Sequence, residues 1–193
     1  MERDAALSRP AGVRIPLFSL LAAVFLAACS AAPSPTPTAP DVAAGSASGQ
    51  GVTLAVTAEP AVASPGQRLD VEAVVTNDGD EPLVLSGSGG GFVFFSVTRV
   101  EDGLTSGEPA WTDDCVPHVL AAEEPTVVPF AKSGGWSEED PNADFLRTYF
   151  ADPDLSLPEG TWRIDVATAA TIGEACVGPR LELAVSVVVR VTE

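Results

Sequence analysis

The sequence predicts an all-β domain over residues 51–193, an antiparallel β-sandwich of about seven strands. Three observations predict it. Apolar residues recur with a period of two along several short segments, as in strands with one buried face. Clusters of Gly, Pro, Asn and Asp punctuate those segments at turn positions. No long stretch carries the helical period, so layers of sheet are left to form the core. Apolar residues make up 46% of the chain and charged residues 19%, which is enough apolar surface for a packed core and argues against global disorder.

In chain order, Val52, Leu54 and Val56 share a face opposite Thr53, Thr57 and Glu59. After Ser64-Pro65-Gly66, Leu69, Val71, Ala73 and Val75 alternate with Asp70, Glu72 and Thr76. Asn77–Glu81 then reads as a hairpin connection into a short apolar strand at Leu83–Leu85. The segment from Phe92 to Val100 is apolar on both faces at first, which suits a central strand or one covered by a loop. Trp162, Ile164 and Val166 alternate with Arg163 and Asp165. One final strand is expected from Leu181 to Val191, with Leu183, Val185, Val187 and Val189 on the same face.

Between these strands, residues 103–157 read as a long mid-domain insertion. A helical turn or two is expected near 141–150, with Asp140 as N-cap and Pro141 as first helical residue. Phe145/Tyr149 and Leu146/Phe150 would pair at i,i+4. A strand over 145–150 is the competing reading.

The start of the chain has a different character. Arg3, Arg9 and Arg14 precede an apolar run from Leu17 to Ala28. As a helix that run rises about 18 Å, too short for a hydrocarbon core of about 30 Å. Residues 1–28 therefore read as a signal peptide. The run ends in Leu26-Ala27-Ala28-Cys29, which resembles the lipobox of bacterial lipoproteins. That resemblance implies diacylglycerol and further acyl chains on Cys29 and membrane attachment on the extracytoplasmic side. Cleavage after Ala32, leaving a soluble secreted chain, is the alternative. Residues 29–50 are almost entirely Ala, Pro, Ser, Thr and Gly, a composition expected to form an extended spacer reaching roughly 60 Å.

The segment 60–85 (PAVASPGQRLDVEAVVTNDGDEPLVL), Phe92-Val93-Phe94, and Leu157–Ile164 (LPEGTWRI) resemble bacterial immunoglobulin-like domains. In particular they are similar to domains related to the intracellular proteinase inhibitor of Gram-positive bacteria. The resemblance covers about two thirds of residues 51–193 and implies an immunoglobulin-like sandwich. No inhibitory residues of that family match positions here, so inhibition is carried only as an alternative function.

The chain has three cysteines. With Cys29 lipidated, Cys115 and Cys176 are left to pair in an oxidising compartment. Closing a loop of about 60 residues contributes roughly 4 kcal/mol in the chain-entropy account. The competing reading of Asp113-Asp114-Cys115-x-x-His118 is a zinc or nucleophile site, but the chain holds a single histidine and zinc needs three or four ligands. Asp140-x-Asn142-x-Asp144 has the spacing of a calcium loop's first ligands, yet Phe145 stands where glycine should turn the chain. It remains a weak calcium candidate beside a solvated acidic loop. Trp111, His118 and Trp136 are candidates for a binding surface, the tryptophans serving equally well as covers for the core.

A formal net charge of -17 disfavours nucleic acid as a partner. No cofactor is expected. The expected function is that of a non-enzymatic, membrane-anchored cell-envelope lipoprotein with a binding or structural domain, its protein partner unspecified.

Overall fold

The computed structural model describes residues 41–193. The signal segment, Cys29 and most of the expected spacer lie outside the described residues. The strands are β1 (Ala43–Gly49), β2 (Val52–Glu59), β3 (Val62–Ala63), β4 (Arg68–Asn77), β5 (Leu83–Gly87), β6 (Val93–Arg99), β7 (Val116–Leu120) and β8 (Pro125–Pro129). A single helix among the described residues, α1 (Ala143–Ala151), is followed by β9 (Leu155–Ser156), β10 (Gly160–Thr168), β11 (Ala170–Ile172), β12 (Arg180–Leu181) and β13 (Ala184–Val191).

These strands form three mostly antiparallel sheets, none closed into a barrel. The first runs β1-β2-β4-β8, with β9 paired to the start of β4; the second runs β3-β13-β10-β6; the third runs β12-β11-β5-β7. Only β3 pairs in parallel with its neighbour, β13. The alternation read in the sequence drives the arrangement. Val52, Leu54, Val56 and Ala58 of β2, Leu69 to Val75 of β4, Trp162 to Val166 of β10 and Val185 to Val191 of β13 all bury alternate side chains in one contiguous cluster. Trp162 is fully buried at its centre. Its indole N–H donates to the Pro158 carbonyl at 2.8 Å, so the largest core side chain leaves no polar atom unpaired. Phe145 of α1 stacks on the same ring at 5.4 Å, which seats the helix on the core.

Several sequence expectations change. The first strand, β1, lies inside the stretch expected as spacer. It pairs with β2 from Ala43↔Ala58 to Gly49↔Val52, through a two-residue turn at Gln50-Gly51 with φ of 56° and 75°. Its small residues are what let it fit, since a Cβ on Gly45 would stand 3.0 Å from Val185 Cγ1 of β13. Composition alone reads such a stretch as linker because it ignores the partner strand.

Asn77–Glu81 does not make a hairpin; it carries the chain from the first sheet to the third. Asn77 is buried and donates to the carbonyls of Glu81 and Leu120 while accepting from the Gly79 N–H, so the turn is tied across sheets. Residues 103–157 are not a separable insertion. Strand β7 pairs with β5, β8 with β4, and β9 with β4.

The last expected strand is broken. Leu181 belongs to the third sheet and Val185 to the second, although the buried face continues unbroken from Leu181 to Val191. The hydroxyl of Thr168 holds the crossing: it accepts from the Leu183 N–H and donates to the Leu181 carbonyl, both at 2.9 Å. Strand β6 is buried on both faces over Val93–Phe95, as expected, but it ends its sheet instead of lying centrally. Residues 104–106 run along its free edge, where the Arg99 N–H donates to the Leu104 carbonyl and the Ser106 N–H to the Val97 carbonyl. The helix starts later than expected. Asn142, not Asp140, sits at its N-cap and makes no side-chain capping bond.

Candidate functional site

A groove of about 540 Å³ opens where the third sheet meets the loop before β7. Its walls are the end of β5 (Ser86–Ser88), the segment from Trp111 to Cys115, the crossing at Thr168–Thr171, and the chain from Cys176 to Glu182. Cys115 and Cys176 form a disulfide with a Cα–Cα distance of 5.5 Å. It joins the segment leading into β7 to the turn between β11 and β12. Sequence pairing of these two cysteines is thus met, and the bond lies in the groove wall.

Trp111 stands on the rim, 54% exposed, with its ring 5.8 Å from Phe94. An indole this open is available for stacking, and Phe94 beneath holds its plane. The glycine-rich run 86–91 is fixed by neighbours. His118 donates its Nε2–H to the Ser88 carbonyl at 3.0 Å and packs its ring 5.2 Å from Phe92. Ser88 Oγ accepts from the Thr112 and Gly90 N–H groups. Asp114 takes the Thr112 hydroxyl at 2.7 Å and the Gly89 N–H at 2.8 Å. Those two bonds, the Thr112 one foremost, hold its carboxyl below the usual carboxylate range. The opposite wall is braced by Gln50, whose side chain donates to the Arg180 carbonyl at 2.8 Å and accepts from the Glu182 N–H.

Chemically, the groove offers an exposed aromatic rim, the Thr171 hydroxyl, and charges of both signs at Arg180, Glu182 and Asp113. The Ser86 and Thr168 hydroxyls are buried and bonded to the backbone. Cys115 is committed to its disulfide and His118 to a carbonyl, so the two do not act as a thiolate and its base. The structure brings Trp111, Cys115 and Cys176 to this one groove, with His118 supporting its floor. Trp136 lies elsewhere, partly buried under the Arg147 guanidinium at 5.1 Å, which also pairs with Glu138 and Asp144.

Two residues of the weak calcium candidate are engaged in other bonds, and the third begins the helix. Asp140 accepts from the Ser137 N–H, Asp144 pairs with Arg147 at 2.9 Å, and Asn142 is the helix N-cap. Among the described residues no three His, Cys, Asp or Glu side chains converge as a metal group.

A second, wider concavity of about 650 Å³ lies over the outward face of β4. Its carboxylates Asp70 and Asp154 share Arg68, at 2.9 and 3.1 Å. Sequence reading missed Ser88, Gln50, Arg180 and Asp114 as groove builders. Only Asp114, beside Cys115, carried any signal; the others are set by pairings from distant parts of the chain.

No protein-family model matches this sequence, and no curated protein matches it. A solved structure of a protein from Archaeoglobus fulgidus is similar at 16% identity, over 79% of this chain and 96% of that one, with a TM-score of 0.34. At that TM-score the likeness carries no argument about this chain.

Proposed function

We propose that this chain is an exported lipoprotein of the bacterial cell envelope. It is held to the extracytoplasmic membrane face by lipid on Cys29 and presents an immunoglobulin-like β-sandwich as a non-enzymatic binding module. The observation that carries the reading is the Cys115–Cys176 bond. Disulfides persist outside the reducing cytosol, and this one accounts for two of the three cysteines, leaving Cys29 for the anchor.

Strand order supports the sandwich. One sheet takes β2, β4 and β8 as an immunoglobulin domain takes its A, B and E strands; another takes β6, β10 and β13 as it takes C, F and G. The binding surface is the Trp111 groove. It combines an exposed aromatic with fixed polar groups on a disulfide-braced wall, the composition from which contact hot spots are built.

Mass spectrometry of the mature N-terminus tests the anchor: a diacylglyceryl-modified Cys29 is expected. A chain beginning at Pro33, or at an unmodified Cys29, overturns it. For the groove, a photoreactive residue replacing Trp111 in cells should give a discrete protein adduct that the same residue at Val188, also surface-exposed, does not. Equal labelling from both positions, or none from either, rejects the groove as contact surface.

A further inference from the structure

We propose that the Cys115–Cys176 bond is a strained clamp, opened by exchange with a dithiol, that locks the wall of the Trp111 groove. The strain is in the backbone. Among the described residues five non-glycine positions have positive φ, and three of them lie at this bond: Cys115 at 52°, Ala175 at 53° and Cys176 at 58°. A Cβ crowds the backbone in that region, so such residues persist only where surrounding structure over-determines them.

Ala175 and Cys176 are the two central residues of a turn closed by the Val177 N–H to the Glu174 carbonyl at 3.0 Å. Positive φ at both centres is the I′ pattern, which Asn-Gly fills without strain and Ala-Cys does not. What holds it here is the cross-link to Cys115. The base of the loop is secured independently: Ile172 donates to the Pro179 carbonyl, Gly173 to Val84, and the Ser86 hydroxyl to Gly173. Opening the bond therefore releases the tip 174–178 from its tie to 111–115, which keeps its Thr112 and Asp114 bonds to Ser88 and Gly89, while the strands beneath stay paired.

Access favours one sulfur. Cys176 is exposed at the turn and Cys115 is half-buried. A dithiol thiolate attacks Sγ of Cys176; as that S–S bond forms, the Cys115–Cys176 bond breaks, and Cys115 leaves as a thiolate and takes up a proton. The dithiol's second thiolate then displaces Cys176 from the mixed disulfide. The dithiol ends oxidised by two electrons to a disulfide, and both protein sulfurs end as thiols. Relaxation of the three left-handed residues drives the reduced form, and the groove loses its braced wall. The clamp is independent of the anchor on Cys29 and of what occupies the groove.

The test equilibrates the full chain with reduced and oxidised dithiothreitol in native buffer, traps free thiols by alkylation, and maps them by mass spectrometry. Cys115 and Cys176 should become alkylated together, with hydrogen exchange rising in 174–178 and unchanged in β2, β4 and β10. Ala175→Gly removes strain from the oxidised turn, so the reduced fraction at a given dithiol ratio should fall by roughly three- to tenfold. A Cys115→Ser/Cys176→Ser double variant should show the same localised exchange without any reductant. A bond that resists dithiothreitol until the protein unfolds overturns the clamp. So does reduction that spreads exchange through the core strands, or an Ala175→Gly chain that titrates like the parent.

Discussion

Replacing Lys132 with Met should weaken the whole fold, because one ammonium group ties off the end of α1. Its three donors reach the carbonyls of Tyr149, Asp152 and Asp154, each at 2.6 Å, and it sits 4.4 Å over the Tyr149 ring. The last carbonyls of a helix have no partner within it, and α1 has no basic residue of its own in its last turn. A hydrogen bond to a charged group contributes about 1.5–3 kcal/mol. The Asp152 bond is exposed, so water replaces much of it; the other two are partly buried. Contact with the ring adds about 0.5–1 kcal/mol. Against this, partial burial penalises the charged ammonium and pulls the Lys132 pKa down. The balance is a loss of about 2 kcal/mol for Lys132→Met. That loss should appear in urea as a lower midpoint with unchanged m, and as a melting temperature lower by about 4–8 °C. Lys132→Arg should recover less than half, because a flat guanidinium cannot aim donors at three carbonyls converging on one atom. A midpoint within about 0.5 kcal/mol of the parent, or unaltered exchange protection across 143–151, would refute this account of the helix end.

Tyr149 is the only tyrosine in the chain and is 4% exposed. Burial, partly offset by a bond with the Ser106 hydroxyl, pushes its pKa up to about 12. The neutral phenol is favoured in the fold, so this stability is intact below the unfolded value of about 10 and is lost as pH rises through 12. Phenolate absorbance should therefore develop about two units late in the native chain and near its ordinary value in denaturant; coincident curves would contradict the burial. At the acid end, Arg99 chiefly, and the Leu104 N–H next, hold Asp102 down to about 2 from its ordinary 3.8. Stability from this carboxylate is present above 3.8 and lost as pH falls through 2, so Asp102→Asn should flatten the pH dependence of the urea midpoint in that window. Gly178 has φ of 145°, and a Cβ there would collide with the Ile172 carbonyl. Gly178→Ala should cost about 1–3 kcal/mol in backbone strain alone, and a melting curve superimposed on the parent's would show that the loop yields freely.

The strands with one buried face were legible because their signal is local. In β2, β4, β10 and β13 every second side chain is apolar, and hydrophobic burial acts on each without reference to its neighbours in sequence. Elements lacking that signal were misread. Strand β1 is built of Ala, Gly and Ser and exists because β2 offers it hydrogen bonds and β13 leaves room only for small residues. Both β7 and β8 contain proline, and both sit at the ends of their sheets, where a missing N–H costs no ladder bond. The candidate site divides the same way. Cys115 and Cys176 could be paired once the lipobox reading took Cys29 out of the count, and Trp111 could be flagged by type. Their meeting with Ser88, Thr168 and Arg180 in one groove could not be read, because those contacts join residues far apart in the chain.

Sequence by itself determined that this domain is mainly β and which faces of its long strands are buried; with Cys29 assigned to the lipobox, it also left Cys115 and Cys176 to pair. Each follows from residue type and local spacing, quantities that survive in an unfolded chain. Tertiary structure alone decided that Asn77–Glu81 and Leu181–Leu183 carry the chain between sheets, and that 103–157 supplies strands instead of a detachable loop. It also decided that the disulfide walls a groove while forcing three residues into left-handed backbone. Those outcomes depend on which strand edges find each other, a choice set by long-range hydrogen bonding and packing.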